Sequence, residues 1–210
     1  MGTRQQPRKP AGTPVGGQFA PTDHDEADID LSAQAKSKAR EPKMLVLRDG
    51  TREWRLDNGK LHRDGGPAIE KANGTRLYYR NDKLDRDDGP AVEMADGTRM
   101  WFRDDKLHRD GGPAIEWSNG DRMYYRDDKL HRDGGPAIEL ADGTREYYRD
   151  DKRHRDDGPA IEWPNGDRMY YRDDKLHRDD GPAIELTNGT RLWFRDGKLV
   201  YTETTGRLSS

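Results

Sequence analysis

His131-Arg132-Asp133-Gly134-Gly135-Pro136-Ala137-Ile138-Glu139 decides the fold, because the same block keeps returning. It recurs, with a change or two, as His62 to Glu70, Asp85 to Glu93, His108 to Glu116, His154 to Glu162 and His177 to Glu185, each start 23 residues after the last. Self-similarity at a fixed period of this length is the signature of a repeat architecture, in which each copy is one supersecondary unit that buries its apolar face against its neighbours. Between the blocks runs a second periodic string, for example Asn119-Gly120-Asp121-Arg122-Met123-Tyr124-Tyr125-Arg126-Asp127-Asp128-Lys129-Leu130, and partial units flank the array.

The punctuation inside a unit is that of a β-meander. Asn73-Gly74, Asp96-Gly97, Asn119-Gly120, Asp142-Gly143, Asn165-Gly166 and Asn188-Gly189 are dipeptides suited to a type I′ turn, whose two central residues both need φ > 0. A second turn falls at Asp104-Asp105, Asp127-Asp128, Asp150-Asp151 and Asp173-Asp174. Its counterparts at the array ends, Asn58-Gly59 and Asp196-Gly197, suggest a left-handed backbone by their glycine. A third break is Gly-Pro, as at Gly135-Pro136, where a missing N–H predicts a strand start or a bulge. The pieces between turns, such as Ala137–Leu140 and Arg145–Arg149, predict two or three short strands per unit.

The aromatic pairs Tyr78-Tyr79, Trp101-Phe102, Tyr124-Tyr125, Tyr147-Tyr148, Tyr170-Tyr171 and Trp193-Phe194 place one ring on each face of a strand. One ring joins Ile and Leu; the other is expected to stack under arginine stems such as those of Arg126 and Arg149. The expected fold is all-β: an elongated single-layer antiparallel meander, a solenoid-like ribbon of roughly 60 to 70 Å if each unit adds two strands.

Composition agrees with a thin molecule, with 30% hydrophobic against 38% charged residues. The 38 basic and 41 acidic residues leave a net charge of -3, so no global field draws the chain to nucleic acid. There is no cysteine, which excludes disulfides and thiolate metal sites. No apolar run approaches the roughly 20 residues of a membrane span, and no apolar stretch follows the basic N-terminus as a secretory signal requires. The organisation expected is a flexible arm over 1–45, the array over 46–204 and a tail over 205–210. In the arm, Pro7, Pro10, Pro14 and Pro21 argue for a linker, residues 30–40 for a short helix, and Arg8, Lys9 and Phe19 for a docking peptide.

Candidate chemistry weighs poorly. His62, His108, His131, His154 and His177 recur once per unit, but equivalent positions of successive units lie about 10 Å apart along a sheet, too far for shared coordination. Catalysis also needs one asymmetric constellation rather than a ladder. The Asp clusters resemble calcium loops, yet Arg126, Lys129 and Arg132 stand beside Asp127, Asp128 and Asp133 and are suited to pair with them. Gly134-Gly135 opens no phosphate loop, for no Gly-Lys-Ser/Thr follows. Ser118 is the only serine between residues 49 and 201. No enzyme activity, cofactor or metal is expected.

The 23-residue period, the aromatic strand, the Asn/Asp-Gly turn and the Lys-x-His step over about residues 49–201 resemble the MORN repeat and its bacterial variants. Here the family's Gly-x-Gly after the His step is Arg-Asp-Gly-Gly-Pro. The resemblance implies meandering hairpins and a scaffold or binding role, sometimes at membranes. Separately, residues 8–20 resemble a short N-terminal segment of assorted actinobacterial and phage or mobile-element proteins. The expected function is therefore a non-enzymatic scaffold presenting an extended surface to a protein partner. Its candidate contacts are Tyr78, Trp101, Tyr124, Tyr147, Tyr170, Trp193, Arg126, Arg149, His108, His131 and His177. Self-assembly into a fibre or particle is the alternative, a membrane-surface role is less favoured, and a cytoplasmic or phage-associated location is expected.

Overall fold

The computed structural model describes residues 41–204. The helix expected over 30–40, the docking residues Arg8, Lys9 and Phe19, and the tail over 205–210 lie outside the described residues. Every regular element described is β: fifteen strands form one antiparallel meander sheet, not closed into a barrel, and ten more form five separate two-stranded hairpins. At about 4.8 Å per strand the sheet extends about 70 Å.

One unit shows how the sequence makes this. Ile138–Glu139 and Arg145–Glu146 are neighbouring strands of the long sheet; Tyr148–Arg149 and Lys152–Arg153 form a hairpin of their own. The unit thus has four two-residue strands, where two or three short ones were expected. The cause is Tyr147. Its N–H donates to the Ala160 carbonyl at 2.7 Å and its carbonyl accepts the His154 N–H at 3.1 Å, while the facing chain departs on the excursion Arg155-Asp156-Asp157-Gly158-Pro159 between those two bonds. Each Arg-Asp-x-Gly-Pro block is such an excursion from a longer hairpin.

The sheet register sorts side chains into two rows. One runs Ile115, Met123, Ile138, Glu146, Ile161, Met169, Ile184, Leu192. The other alternates charge from strand to strand: Glu116, Arg122, Glu139, Arg145, Glu162, Arg168, Glu185, Arg191. Opposite charges directly across an antiparallel pair are favourable and like charges are not, so a strand shifted by two residues loses every pair. The buried core is small, one Ala per unit joined by one Ile or Val in every unit after the first, with Ala68, Ala91, Ala114, Ala137, Ala160 and Ala183 all at 0% exposure.

The first turn departs from the geometry expected of it, and the second has the left-handed backbone that its end glycines suggest. Asp142-Gly143 is not a type I′ turn: the Gly143 N–H donates to the Leu140 carbonyl and the Leu140 N–H to the Thr144 carbonyl, both at 2.9 Å, and only Gly143 has positive φ, 92°. This is a three-residue loop, a type I turn with glycine at the left-handed bulge position. The type I′ geometry belongs to Asp150-Asp151, with φ of 49° and 65°, a conformation that Asp tolerates better than most residues.

Both ends depart from the middle. In the first unit the extra residue before His62 converts the two-residue turn into a three-residue loop, in which the Gly59 N–H donates to the Leu56 carbonyl at 2.9 Å. The sheet begins with Lys43–Val46, so its first strand straddles the boundary drawn at residue 45. At the other end no excursion occurs. Thr190–Arg195 pairs with the seven-residue strand Lys198–Thr204, with one bulge.

Candidate interaction surface

The excursions build a surface from three repeated contacts. In the first, the Arg132 guanidinium carbon lies 3.7 Å from the Tyr124 ring centroid. Its Nη1 donates to the Pro136 carbonyl at 3.1 Å and to Glu139 Oε1 at 2.7 Å. On its other side it packs against Gly135, where a Cβ would approach Arg132 Nε to 3.0 Å. Ring, guanidinium and glycine form a sandwich, repeated by Arg63 on Trp54, Arg86 on Tyr78, Arg109 on Trp101, Arg155 on Tyr147 and Arg178 on Tyr170 at 3.7 to 4.0 Å. Trp193 meets Tyr201 instead, with centroids 4.9 Å apart.

The covering arginine is therefore not the one expected. Arg126 and Arg149 reach forward to the excursion carboxylates of Asp133, at 2.5 Å, and Asp156, at 2.7 Å. The geometry explains the exchange: Arg132 leaves its strand at the start of the excursion, beside Tyr124, whereas Arg126 sits in the outer hairpin.

The second contact is the histidine column. His108, His131, His154 and His177 place Nδ1 at 2.9 to 3.0 Å from an Asp of the next unit's turn. Their Nε2 atoms lie at 2.9 to 3.1 Å from the Asp of their own excursion. These rings join units and are mostly buried, with side-chain exposures of 7 to 10%. In the second unit Asp85 takes the place, accepting from Arg80 at 2.7 Å and from the Asp104 N–H at 3.3 Å.

The third contact stacks the turns. Asp128 donates its N–H to the Leu107 carbonyl at 3.0 Å and accepts the Leu107 N–H on Oδ1 at 2.7 Å. A carboxylate thereby replaces a backbone carbonyl in the ladder, and Asp82, Asp105, Asp151 and Asp174 do the same. At the opposite edge Thr75, Thr98, Asp121 and Asp167 accept the N–H of Ala95, Ser118, Ala141 and Thr187 in the next turn.

Electrostatics follow these contacts. The Arg126 guanidinium, then the His131 ring, holds the Asp133 carboxyl below the ordinary carboxylate range. Asp110 and Asp156 are lowered in the same order of causes by Arg103 with His108 and by Arg149 with His154. One unit differs. Glu146 stands where Met or Leu stands in every other unit after the first, and Arg153 where Leu does, and the two meet at 3.4 Å. Burial, then the hydrogen bond its hydroxyl donates to Glu146 at 2.9 Å, pushes Tyr148 up to about 12.

Between successive excursions open four equivalent grooves of about 300 to 530 Å³. In the one between the fourth and fifth blocks, the walls are His131–Gly135 and His154–Asp157 and the floor is Tyr147, Tyr148 and Arg149. Of the proposed contacts, Trp101, Tyr124, Tyr147, Tyr170, Arg126, Arg149, His108, His131 and His177 line these four grooves and Tyr78 and Trp193 do not; Tyr124, Tyr147 and Tyr170 lie under guanidinium groups and the histidines turn into the unit junctions. Sequence reading passed over a second row on the other long edge: Met94, Trp117, Leu140, Trp163 and Leu186 recur at the same 23-residue spacing, with Trp117 39% exposed. Their periodicity was the available signal.

Among the described residues no group of three or more His, Asp or Glu side chains is arranged to hold a metal ion, and no helix is long and apolar enough to cross a membrane. No protein-family model matches the chain, and no curated protein matches its sequence. The chain is a β-hairpin repeat protein with a unit of about 23 residues.

Proposed function

We propose that the chain is a non-enzymatic interaction scaffold that offers a row of equivalent grooves to a protein partner. The observation that carries this reading is the groove row itself. Four consecutive cavities share one lining of Arg, Asp, His and paired aromatics, and repetition of one weak site along a stiff support gives avidity without new contacts. The same equivalence argues against catalysis, which needs unlike groups converging on one atom. MORN-like kinship belongs to this reading and is supported by the hairpin unit and its aromatic strand. The Arg-Asp-Gly-Gly-Pro excursion sets the chain apart from that pattern. A phage or mobile-element origin rests on residues 8–20 alone.

The test is selection from a displayed random-peptide library on the immobilised full-length chain. The counter-target is a variant with Arg126, Asp133, Arg149 and Asp156 all changed to Ser, which removes two Arg–Asp pairs and the two His–Asp contacts of the same carboxylates without changing net charge. Peptides that bind the parent and lose the variant, at similar melting temperature, support the groove reading. No enrichment, or enrichment indifferent to the four changes, sinks it.

A further inference from the structure

Among the described residues the two outermost strands of the sheet each leave one backbone edge unpaired, and an exposed apolar edge invites another strand. Of the large hydrophobic side chains that stand exposed among the described residues, most lie on or beside these two strands: Met44, Leu45, Val46 and Leu47 at one end, Leu199, Val200 and Tyr201 at the other. Met44-Leu45-Val46-Leu47 is also the longest run of large apolar residues in the sequence. The interior of the ribbon is closed by two-residue strands and side-chain ladders. Its first strand is not.

The two ends are not equivalent. In the last strand Tyr201 is opposite Trp193 and Leu199 opposite Phe194, which leaves Val200 as an extra, bulged residue. A bulge breaks the regular spacing of outward N–H and C=O groups and blunts an edge. The first strand pairs without a bulge, Lys43 to Arg55 through Val46 to Arg52.

Its hydrogen-bond parity can be read directly. In an antiparallel strand successive residues address opposite neighbours. The Leu47 N–H donates inward to the Thr51 carbonyl at 2.8 Å, so Leu45 and Lys43 also point inward, and Met44 and Val46 point outward. Trp54, opposite Met44, gives an independent check: its N–H donates to Ala68 at 2.8 Å, away from the first strand. A new antiparallel neighbour must set outward residue against outward residue. For a second copy the register that uses both is Met44 against Val46, in each direction, with Leu45 facing Leu45 on the two-fold axis.

We propose that two copies of this chain pair through Lys43–Val46, making one continuous sheet across a two-fold axis. The pairing extends the existing rows, since Leu45 lies opposite Glu53 and so in the row of Ile69, while Val46 lies opposite Arg52 in the charged row. The chain's own preceding segment is a poor rival for the edge: residues 1–40 carry four prolines and no run of four strand-forming residues. Because the opposite end is bulged, the association is isologous and closes at a dimer. This inference stands independently of the groove reading.

The experiment is light-scattering mass coupled to chromatography on the full chain, loaded between about 5 and 200 µM, since a one-strand contact is small beside a standard interface of about 1,600 Å². The expected result is a mass rising to twice that of the chain and no further. Val46→Pro removes an outward N–H while leaving the inward ladder intact, and Leu45→Lys places charge on the axis; both give monomers with unchanged far-UV circular dichroism. The chain has no cysteine, so Leu45→Cys supplies a single thiol that oxidised glutathione converts to a cross-linked dimer. Leu47→Cys, two residues off the axis, does not cross-link. A parent that stays monomeric at the highest loading, a mass that keeps growing, or equal cross-linking at Leu45 and Leu47 would overturn the proposal.

Discussion

Gly135 shows how one missing methyl group supports a whole contact. Its backbone is not left-handed, so alanine costs no strain there, but the Cβ would meet Arg132 Nε at 3.0 Å and Cζ at 3.1 Å. The guanidinium would have to give by a few tenths of an ångström, between the Tyr124 ring and Glu139 that hold it. Gly135→Ala is therefore expected to destabilise by about 1 kcal/mol, the scale of one cation–π contact with its charged hydrogen bond. In an Arg132→Ala background the same change has almost no effect, which a double-mutant cycle in urea measures. Asp128 makes a different demand. It holds φ of 66° while its carboxylate takes the Leu107 N–H. Asp128→Gly and Asp128→Ala both lose that bond, and only Ala strains the backbone. Ala is expected to be less stable than Gly by about 1 to 2 kcal/mol, the reverse of their order in most strands and helices.

Among the elements, the stacked three-residue turns carry an internal control. Thr98 is wholly buried and its hydroxyl accepts the Ser118 N–H at 3.3 Å. Thr144 occupies the equivalent place one turn before Pro164, which has no N–H to offer. Pro164 packs on Gly143 instead, at 3.5 Å from the Cβ position there. Thr98→Ala is expected to cost about 1 kcal/mol more than Thr144→Ala, the size of one buried hydrogen bond, as read from thermal melts of the two variants. If the two fall equally, the hydroxyl ladder contributes nothing to turn stacking.

Across the full ribbon, stability rests on charge and phenol groups that titrate at opposite ends of the pH scale. Asp110, Asp133, Asp156 and Asp179 have lowered pKa values, the first three chiefly through hydrogen bonds from arginine and the last through His177. A carboxyl lowered in the fold contributes stability above its unfolded value of about 3.9 and loses it as pH falls through the folded value. Tyr148 is raised to about 12, and Tyr79, Tyr124, Tyr125, Tyr147 and Tyr170 are raised by burial. Their contribution is full below about pH 10, the unfolded tyrosine value, and is lost as pH climbs through the folded ones. From these two sets of groups the urea midpoint is expected to fall below about pH 4 and again above about pH 10. A midpoint that does not change from pH 10 to pH 12 would show that the buried phenols do not matter.

The repeat, its period, its turn positions and the division of each aromatic pair between two faces were all readable from the residues, because hairpin signals are local and a fixed period multiplies each of them six times. The turn types were not readable: Asn-Gly fits a two-residue or a three-residue loop, and loop length depends on the strand register, which is a pairing between distant residues. For the same reason the sequence could not say that Arg132 rather than Arg126 covers Tyr124, since a five-residue excursion carries Arg132 there. Nor could it show that Asp128 reaches back 21 residues to Leu107. The outward parity of Met44 and Val46 belongs to that second class as well. The sequence reading left Met44 and Leu45 in the flexible arm, and only the pairing of this strand, the Leu47 hydrogen bond to Thr51 and the register against Trp54 show which of its groups remain open to a partner.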